Sequence, residues 1–249
     1  MLAEERRKQI LSKLSSRGQV LSADLIRDFN VSEDTIRRDL KEMADAGLLK
    51  KVHGGAMSTT TVPYAHGARE SLNVESKSAI AQRATDLIRD GMLIFIDGAT
   101  TSAQIVQHLS PNLEATFVTH SVATAALLAK LEKSATILLG GRVVPELLIT
   151  CGPQLSEQAK TFNPDLSIVS VHGISIVGGA TVESYDDAII KSEFLRRSGE
   201  TVVLAGAEKV GFIASYKLAD LSEISYLISD APAEQLKPFF DEGLTVWQV

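Results

Sequence analysis

Apolar residues recur at helical spacing through the first fifth of the chain. Ile10, Leu11 and Leu14 share one face of the segment Glu4 to Ser16, which predicts an amphipathic helix ended by Gly18. A second helix opens with Ser22 as N-cap and carries Leu25, Ile26 and Phe29 as its apolar stripe. Asn30-Val31 predicts a tight turn. Ser32 then caps a third helix running to about Ala46, with Gly47 as its stop. Leu21 with Ile26, and Val31 with Ile36, have the spacing of hydrophobic staples. Leu48 to His53, the pair Gly54-Gly55 and Ala56 to Ser58 predict a strand, a turn and a returning strand. Two capped helices joined by a short turn, followed by a hairpin, predict a winged helix-turn-helix over residues 1–58.

The pattern then changes twice. Residues 59–75 hold threonines, Pro63 and Gly67 without a period and are expected to be a linker. Residues 76–249 alternate helical segments with short apolar runs. Ile80, Ala84, Leu87 and Ile88 mark a helix stopped by Gly91. Strands are expected at Leu93 to Ile96, Thr116 to Val118, Thr136 to Leu139, Leu166 to Val171, Thr201 to Leu204 and Tyr226 to Ser229. Helices between them include Val122 to Leu131 and Asp187 to Arg197. Short apolar strands separated by helices predict an α/β domain around a mostly parallel, buried sheet.

Charge sharpens this division. The 249-residue chain has a net charge of −6, which on its own argues against nucleic acid. Residues 1–57, however, carry eleven Lys/Arg against nine Asp/Glu, a net +2, and the remainder carries fourteen against twenty-two, a net −8. A basic head on an acidic body is the distribution expected of a small DNA-binding module. The single cysteine, Cys151, excludes an intramolecular disulfide and a multi-cysteine zinc site, and is expected to be a small buried hydrophobe. The start of the chain is charged and does not resemble a secretory signal, and no stretch approaches a membrane span. A cytoplasmic protein with no metal, no cofactor and no membrane partner is expected.

On the third helix Ile36, Leu40 and Met43 fall on one face. A rotation of 100° per residue puts Asp34, Arg38 and Lys41 on the other, with Arg37 at its flank. A recognition helix needs such an apolar back and polar front. Arg38 can take guanine O6 and N7 bidentately, while Ser32 and Thr35 can reach bases or phosphates. Arg37, Lys50, Lys51 and His53 suit phosphates. The partner expected is operator double-stranded DNA, bound by a homodimer or homotetramer because one helix-turn-helix reads few base pairs.

In the body, Asp97-Gly98-Ala99-Thr100-Thr101-Ser102 follows a strand and opens a helix. Small residues let backbone N–H groups approach an anion, hydroxyls add donors, and the helix dipole favours negative charge. A phosphate site and a plain strand-to-helix turn fit this segment equally well. Thr119-His120-Ser121 precedes another helix, and Gly140-Gly141 ends a strand, so these loops should converge where an open α/β sheet binds ligands. Lys191 and Lys209 can pair with a phosphate or stand as solvated surface residues. Glu183, Asp186 and Asp187 suit a helix start.

The stretch Val31-Ser32-Glu33-Asp34-Thr35-Ile36-Arg37-Arg38-Asp39-Leu40, with Gly47-Leu48-Leu49 and His53-Gly54-Gly55-Ala56 after it, resembles the signature of the DeoR family. The body resembles that family's sensor domain, whose fold is similar to ribose-phosphate isomerases and CoA transferases. Asp97 to Thr101 matches its D-x-G-T-T loop with Ala99 as a departure. Val118 to Ser121, Gly140-Gly141, Gly178 to Thr181 and Lys191 match further elements. Gly206 stands where the family's D-x-x-K-x-G pattern has its aspartate, ahead of Lys209, and His172 stands where an acid is common before Gly173. The resemblance implies a transcriptional regulator, a repressor by analogy, whose small-molecule effector is a phosphorylated sugar or similar metabolite. The alternative is a sugar-phosphate isomerase-like enzyme with a DNA-binding head. Against it, Ser170 to Ser175 holds no carboxylate to serve as general base, and His120 beside Ser121 lacks an evident third triad member.

Overall fold

The computed structural model describes residues 3–17, 19–46, 48–57 and 65–249. The expected helix stops at Gly18 and Gly47, the strand end at Ser58 and the first part of the linker, through residue 64, lie outside them.

The head comprises α1 (Ala3–Arg17), β1 (Gln19–Leu21), α2 (Ser22–Phe29), α3 (Glu33–Asp45), β2 (Lys50–Val52) and β3 (Gly55–Met57). Ile10, Leu14, Leu25, Phe29, Ile36, Leu40 and Met43 form its core, as their helical spacing predicts. Asn30 makes the turn between α2 and α3 in the left-handed region, at φ 49°. The hairpin is present, but its sheet has three strands in the order β1-β3-β2. This extra strand corrects two expectations. Ser22 is the first helical residue and not a cap: the extended residue before it is Leu21, and the Ser22 N–H donates to Gly54 O at 2.8 Å. Leu21 does not staple to Ile26 either. In a strand successive side chains alternate, so burying Val20 turns Leu21 out to 53% exposure.

The body follows as α4 (His66–Glu70), α5 (Val74–Ala84), β4 (Leu93–Ile96), α6 (Thr100–His108), β5 (Thr116–Thr119), α7 (Val122–Leu128), β6 (Ala135–Leu138), β7 (Arg142–Val144) and β8 (Ile149–Cys151). It continues as α8 (Pro153–Ala159), β9 (Leu166–Ser170), β10 (Gly173–Ser175), β11 (Gly179–Val182), α9 (Tyr185–Arg197), β12 (Glu200–Ala205), β13 (Tyr216–Ala219), β14 (Tyr226–Ser229), α10 (Ala233–Asp241) and β15 (Thr245–Gln248). The expected linker 59–75 is thus folded in its later part, with α4 and the start of α5 inside it. His66 and Arg69 are buried there, a tertiary role that local composition does not register.

Seven strands form one parallel sheet in the order β15-β14-β12-β9-β4-β5-β6. Its two faces bury separate clusters. In β4, Ile94 and Ile96 face α5, α6 and α7, while Phe95 faces the layer of α8, α9 and α10. Burial on both faces is why the central strands read as apolar runs. The sequence-visible strands all lie in this sheet. The hairpin β7-β8 and the antiparallel sheet β10-β11-β13, which the apolar runs do not reveal, cap its carboxyl end. From β4 the strands are added outward to β6, and from β9 they are added on the other side out to β15, so the strand order has its switch point between β4 and β9.

Candidate functional site

The head presents the face that the sequence predicts. Ser32 Oγ accepts the Thr35 N–H at 3.3 Å and lies 2.9 Å from Thr35 Oγ1, so the start of α3 is capped. Asp34, Arg37, Arg38 and Lys41 are exposed opposite the buried Ile36, Leu40 and Met43. Arg37 pairs with Asp34 at 2.7 Å, whereas Arg38 makes no ion pair among the described residues. Lys50, Lys51 and His53 stand exposed on the hairpin. The residue missed is Asp39, next to Arg38 but 2% exposed. Its two oxygens take Arg6 Nε at 2.6 Å and Arg7 Nε at 2.9 Å, tying α3 to α1. A carboxylate one position from the apolar stripe, facing two arginines of another helix, is the signal that would have located it.

At the switch point the body holds a buried charge network. Asp97, directly after β4, accepts the N–H groups of Ser170 at 3.0 Å and Ala99 at 3.2 Å. Lys191 Nζ lies 2.6 Å from Asp97 Oδ2 and 2.7 Å from Asp187 Oδ2, and donates to Ser170 O at 3.0 Å. Asp187 Oδ1 is 3.0 Å from His120 Nε2. Burial pushes the Asp187 carboxyl up, but Lys191 and His120 overcome it and hold the group below the ordinary carboxylate range. Burial likewise pushes Lys191 down, and Asp187 with Asp97 raise it instead.

Three more bases crowd in. Lys209 Nζ donates to Ser170 Oγ at 3.3 Å, Arg69 Nη1 donates to His172 Nε2 at 2.8 Å, and Lys77 Nζ donates to Arg69 O. Burial lowers Lys209 to about 8; the positive charges of Arg69, Lys77 and Lys191 add to this, against Glu208. Burial, then Arg69, Lys191 and Lys209, lower His172 to about 3. Its imidazole is therefore neutral, with Nε2 free to accept from Arg69 and the ring proton on Nδ1. Gly98, Ala99 and Thr100, which open α6, line the same cavity as Arg69, Lys191 and Lys209. The helix begins with no side-chain cap. The free space is narrow, about 20 Å³, room for about one water molecule.

The remaining predicted residues do not line this cavity. Thr101 and Ser102 are buried within the first turn of α6. Thr119 Oγ1 accepts the Ser121 N–H at 3.1 Å, and Ser121 Oγ caps α7 by accepting the Thr124 N–H at 3.1 Å. The Ser121 hydroxyl donates to Leu148 O at 3.5 Å and His120 Nδ1 has no hydrogen-bond partner, so His120 with Asp187 does not extend to a Ser121 nucleophile. Gly140 donates its N–H to Gln158 Oε1 at 3.0 Å. A Cβ at Gly141 would sit 2.5 Å from Cys151 O, and one at Gly173 2.5 Å from Phe212 O, so both glycines permit close backbone packing. Cys151 is buried, and burial pushes its thiol up, away from reactivity.

Two placements revise the sequence expectations. Lys191 and Lys209 are 2% and 7% exposed and are not solvated surface lysines. Asp187 does stand in the first turn of α9, behind the Ser184 cap, but its carboxylate turns inward to Lys191 one turn on. Arg69, Lys77 and Ser170 were missed altogether. The spacing of Asp187 and Lys191 on an apolar helix offered a signal, but nothing local marked Arg69.

A family model described as the DeoR C terminal sensor domain matches residues 72–231, and one described as the DeoR-like helix-turn-helix domain matches residues 6–62. The chain is 29% identical over 235 residues to the HTH-type transcriptional regulator YulB of Bacillus subtilis, covering 93% of this chain and 90% of the relative. It is also 29% identical over 232 residues to the HTH-type transcriptional repressor GlcR of the same organism, covering 92% and 89%. Among solved structures, ribose 5-phosphate isomerase A of Methanocaldococcus jannaschii overlaps 55% of this chain and 54% of its own, at 17% identity and a TM-score of 0.41. No described helix is long and apolar enough to cross a membrane. Both family models match in the order the head and body require, and the chain belongs to the DeoR family of helix-turn-helix transcriptional regulators, DNA-binding proteins and not enzymes.

Proposed function

We propose that this regulator binds operator DNA as a homodimer or homotetramer in the cytoplasm, and that a phosphorylated sugar or similar metabolite held at the strand ends modulates that binding. The observation that carries the effector reading is the charge of the site. Lys77, Lys191 and Lys209 are buried there, and the two buried carboxylates of the site, Asp97 and Asp187, both pair with Lys191. Buried cations in excess of their partners are costly and favour an anionic occupant. The uncapped start of α6, at Gly98, Ala99 and Thr100, supplies further attraction for a phosphate.

In this reading Thr100, Lys191 and Lys209 touch the ligand, with Arg69 beside them. Asp97 holds Lys191 in place, and Thr119, His120, Ser121, Gly140, Gly141 and Gly173 act through the loops behind the lining residues. The head ends at residue 58, and the effector body reaches back to include α4. A site with room for one water must open to admit a phosphate ester, which moves Arg69 and thus α4, the body's first helix after the head. A ligand that prefers the opened form shifts the population, typically with 1–3 kcal/mol of coupling. Repression relieved by the ligand is the direction we infer, in keeping with the repressor named among the relatives.

A thermal-shift panel of sugar phosphates tests this, because a ligand of the folded state raises the melting temperature. We expect a phosphate ester to stabilise the protein and release it from DNA, and Thr100→Ala and Lys209→Met to abolish the response while operator affinity persists. A ligand response unchanged in both variants would refute this placement of the site.

A further inference from the structure

A second cavity lies between α4 and the paired helices α6 and α7. It holds about 230 Å³, far more than the space at the strand ends. Thr100, Ala103, Gln104 and Gln107 line it from α6, a spacing of three, four and seven residues that puts all of them on one face of that helix. His66 and Glu70 close it from α4, and Leu127 contributes an apolar side from α7.

His66 is the unusual member. It is 2% exposed, and neither ring nitrogen has a hydrogen-bond partner; the Glu70 carboxylate comes within 3.3 Å of Nδ1 but outside hydrogen-bond geometry. Its backbone N–H donates to Glu146 O at 2.7 Å, so the residue is held where it is. A buried polar ring without partners is uncommon and costs free energy unless something in the cavity bonds to it. Burial, then the Arg69 charge, lowers its pKa, so the ring is neutral and both gives and takes a hydrogen bond.

We propose that this cavity binds an uncharged, polyhydroxylated carbon chain, that of a sugar or sugar alcohol. Two side-chain amides, an imidazole and a carboxylate match the mixed donor and acceptor character of hydroxyls, and Ala103 and Leu127 suit C–H faces. Glu70 disfavours an anion here, in contrast to the cationic cavity. Thr100 borders both cavities. The hydroxyls therefore come from the far end of an effector anchored by its phosphate, an option that rests on the function proposed above, or from a free sugar that does not need it.

The test follows the His66 ring by NMR in the full chain labelled with 15N-histidine, its resonance assigned with His66→Gln. The probes are inorganic phosphate, glucose, mannitol and the 6-phosphates of both. We expect the His66 ring to shift with the hydroxylated probes, and Ala103→Leu, which fills the cavity away from the cationic residues, to weaken their binding at least tenfold while leaving inorganic phosphate unaffected. Shifts with the free sugars identify an independent sugar site, and shifts with the esters alone identify one effector spanning both cavities. Hydroxylated probes that leave His66 unmoved, or that bind Ala103→Leu as tightly as the parent, overturn the proposal. If inorganic phosphate also moves His66, the Ala103→Leu comparison decides. Phosphate and esters that fail to bind while free mannitol shifts His66 would refute the strand-end function and leave this cavity standing.

Discussion

Lys191 reaches from α9 to within 2.6 Å of Asp97 at the end of β4, a pair with 2% and 0% exposure that joins the two halves of the sheet at its switch point. Asp187 completes the arrangement from one turn earlier on α9. Removing the lysine would leave two buried carboxylates without their cation. Lys191→Met is expected to destabilise the body by about 3–5 kcal/mol, read as a fall in the urea midpoint. Adding Asp187→Asn should recover part of the loss, and a single variant as stable as the parent would show that the pair is not holding the sheet.

Acid should weaken the body well before its carboxylates titrate. His172 has its pKa lowered from 6.5 to about 3 in the folded state. A group depressed on folding contributes stability above its unfolded pKa and loses it as pH falls through the window between the two values. Stability should therefore decline between pH 6.5 and 3, with a slope approaching about 1.4 kcal/mol per pH unit from this group. His66, lowered in the same direction, adds to it. His172→Gln should flatten the decline, and urea midpoints at a series of pH values check it.

Binding of an anion at the strand ends should draw in a proton. Lys209 is lowered to about 8, partly by its cationic neighbours. A bound phosphate ester, already dianionic at that pH, raises the lysine again, so binding near pH 8 takes up protons and affinity falls as pH rises further. Calorimetry in buffers of different ionisation enthalpy measures the uptake, which Lys209→Met should abolish.

In the head, Asp39 takes no part in the exposed face yet orients it. Asp39→Ala leaves Arg6, 8% exposed at its side chain, without its partner, and is expected to cost about 3 kcal/mol or more. Amide hydrogen exchange in α1 and α3 should accelerate together, with DNA affinity lost in proportion. Faster exchange in one helix alone would argue against the tie.

Arg38 and Lys51 should fail differently. With an operator selected from random DNA, Arg38→Ala should lose about 1–3 kcal/mol on that operator and less on unrelated duplex. Lys51→Ala should weaken both alike and reduce the salt slope by about 1. Fluorescence anisotropy across a salt series separates the two, and unchanged selectivity in Arg38→Ala would remove that residue from base recognition.

The legible parts were those with short-range causes. Ile36, Leu40 and Met43 declare the back of α3 by spacing alone, and Arg38 and Lys41 its front. The central strands declared themselves because burial on both faces demands uninterrupted apolar residues, as Leu93 to Ile96 shows. Where a strand is short and its neighbours are polar or glycine, as in Gly173–Ser175 or Arg142–Val144, no period survives to be read. Leu21 and Ser22 were misassigned because pairing of β1 with β3 overrode local capping preference.

The sequence by itself determined the helix-turn-helix, its polar face, the α/β class of the body and the loop from Asp97 to Ser102. Each rests on residues close together in the chain, where periodicity, caps and turn chemistry act. Only the tertiary structure decided that Arg69 and Lys77, in and beyond the expected linker, meet Lys191 and Lys209 in one buried site. It alone set Asp187 as an inward counter-charge, His172 as a neutral acceptor and His66 at the wall of a second cavity. Charge and burial at these positions arise from partners distant along the chain, brought together by sheet order and crossover, and no local pattern encodes them.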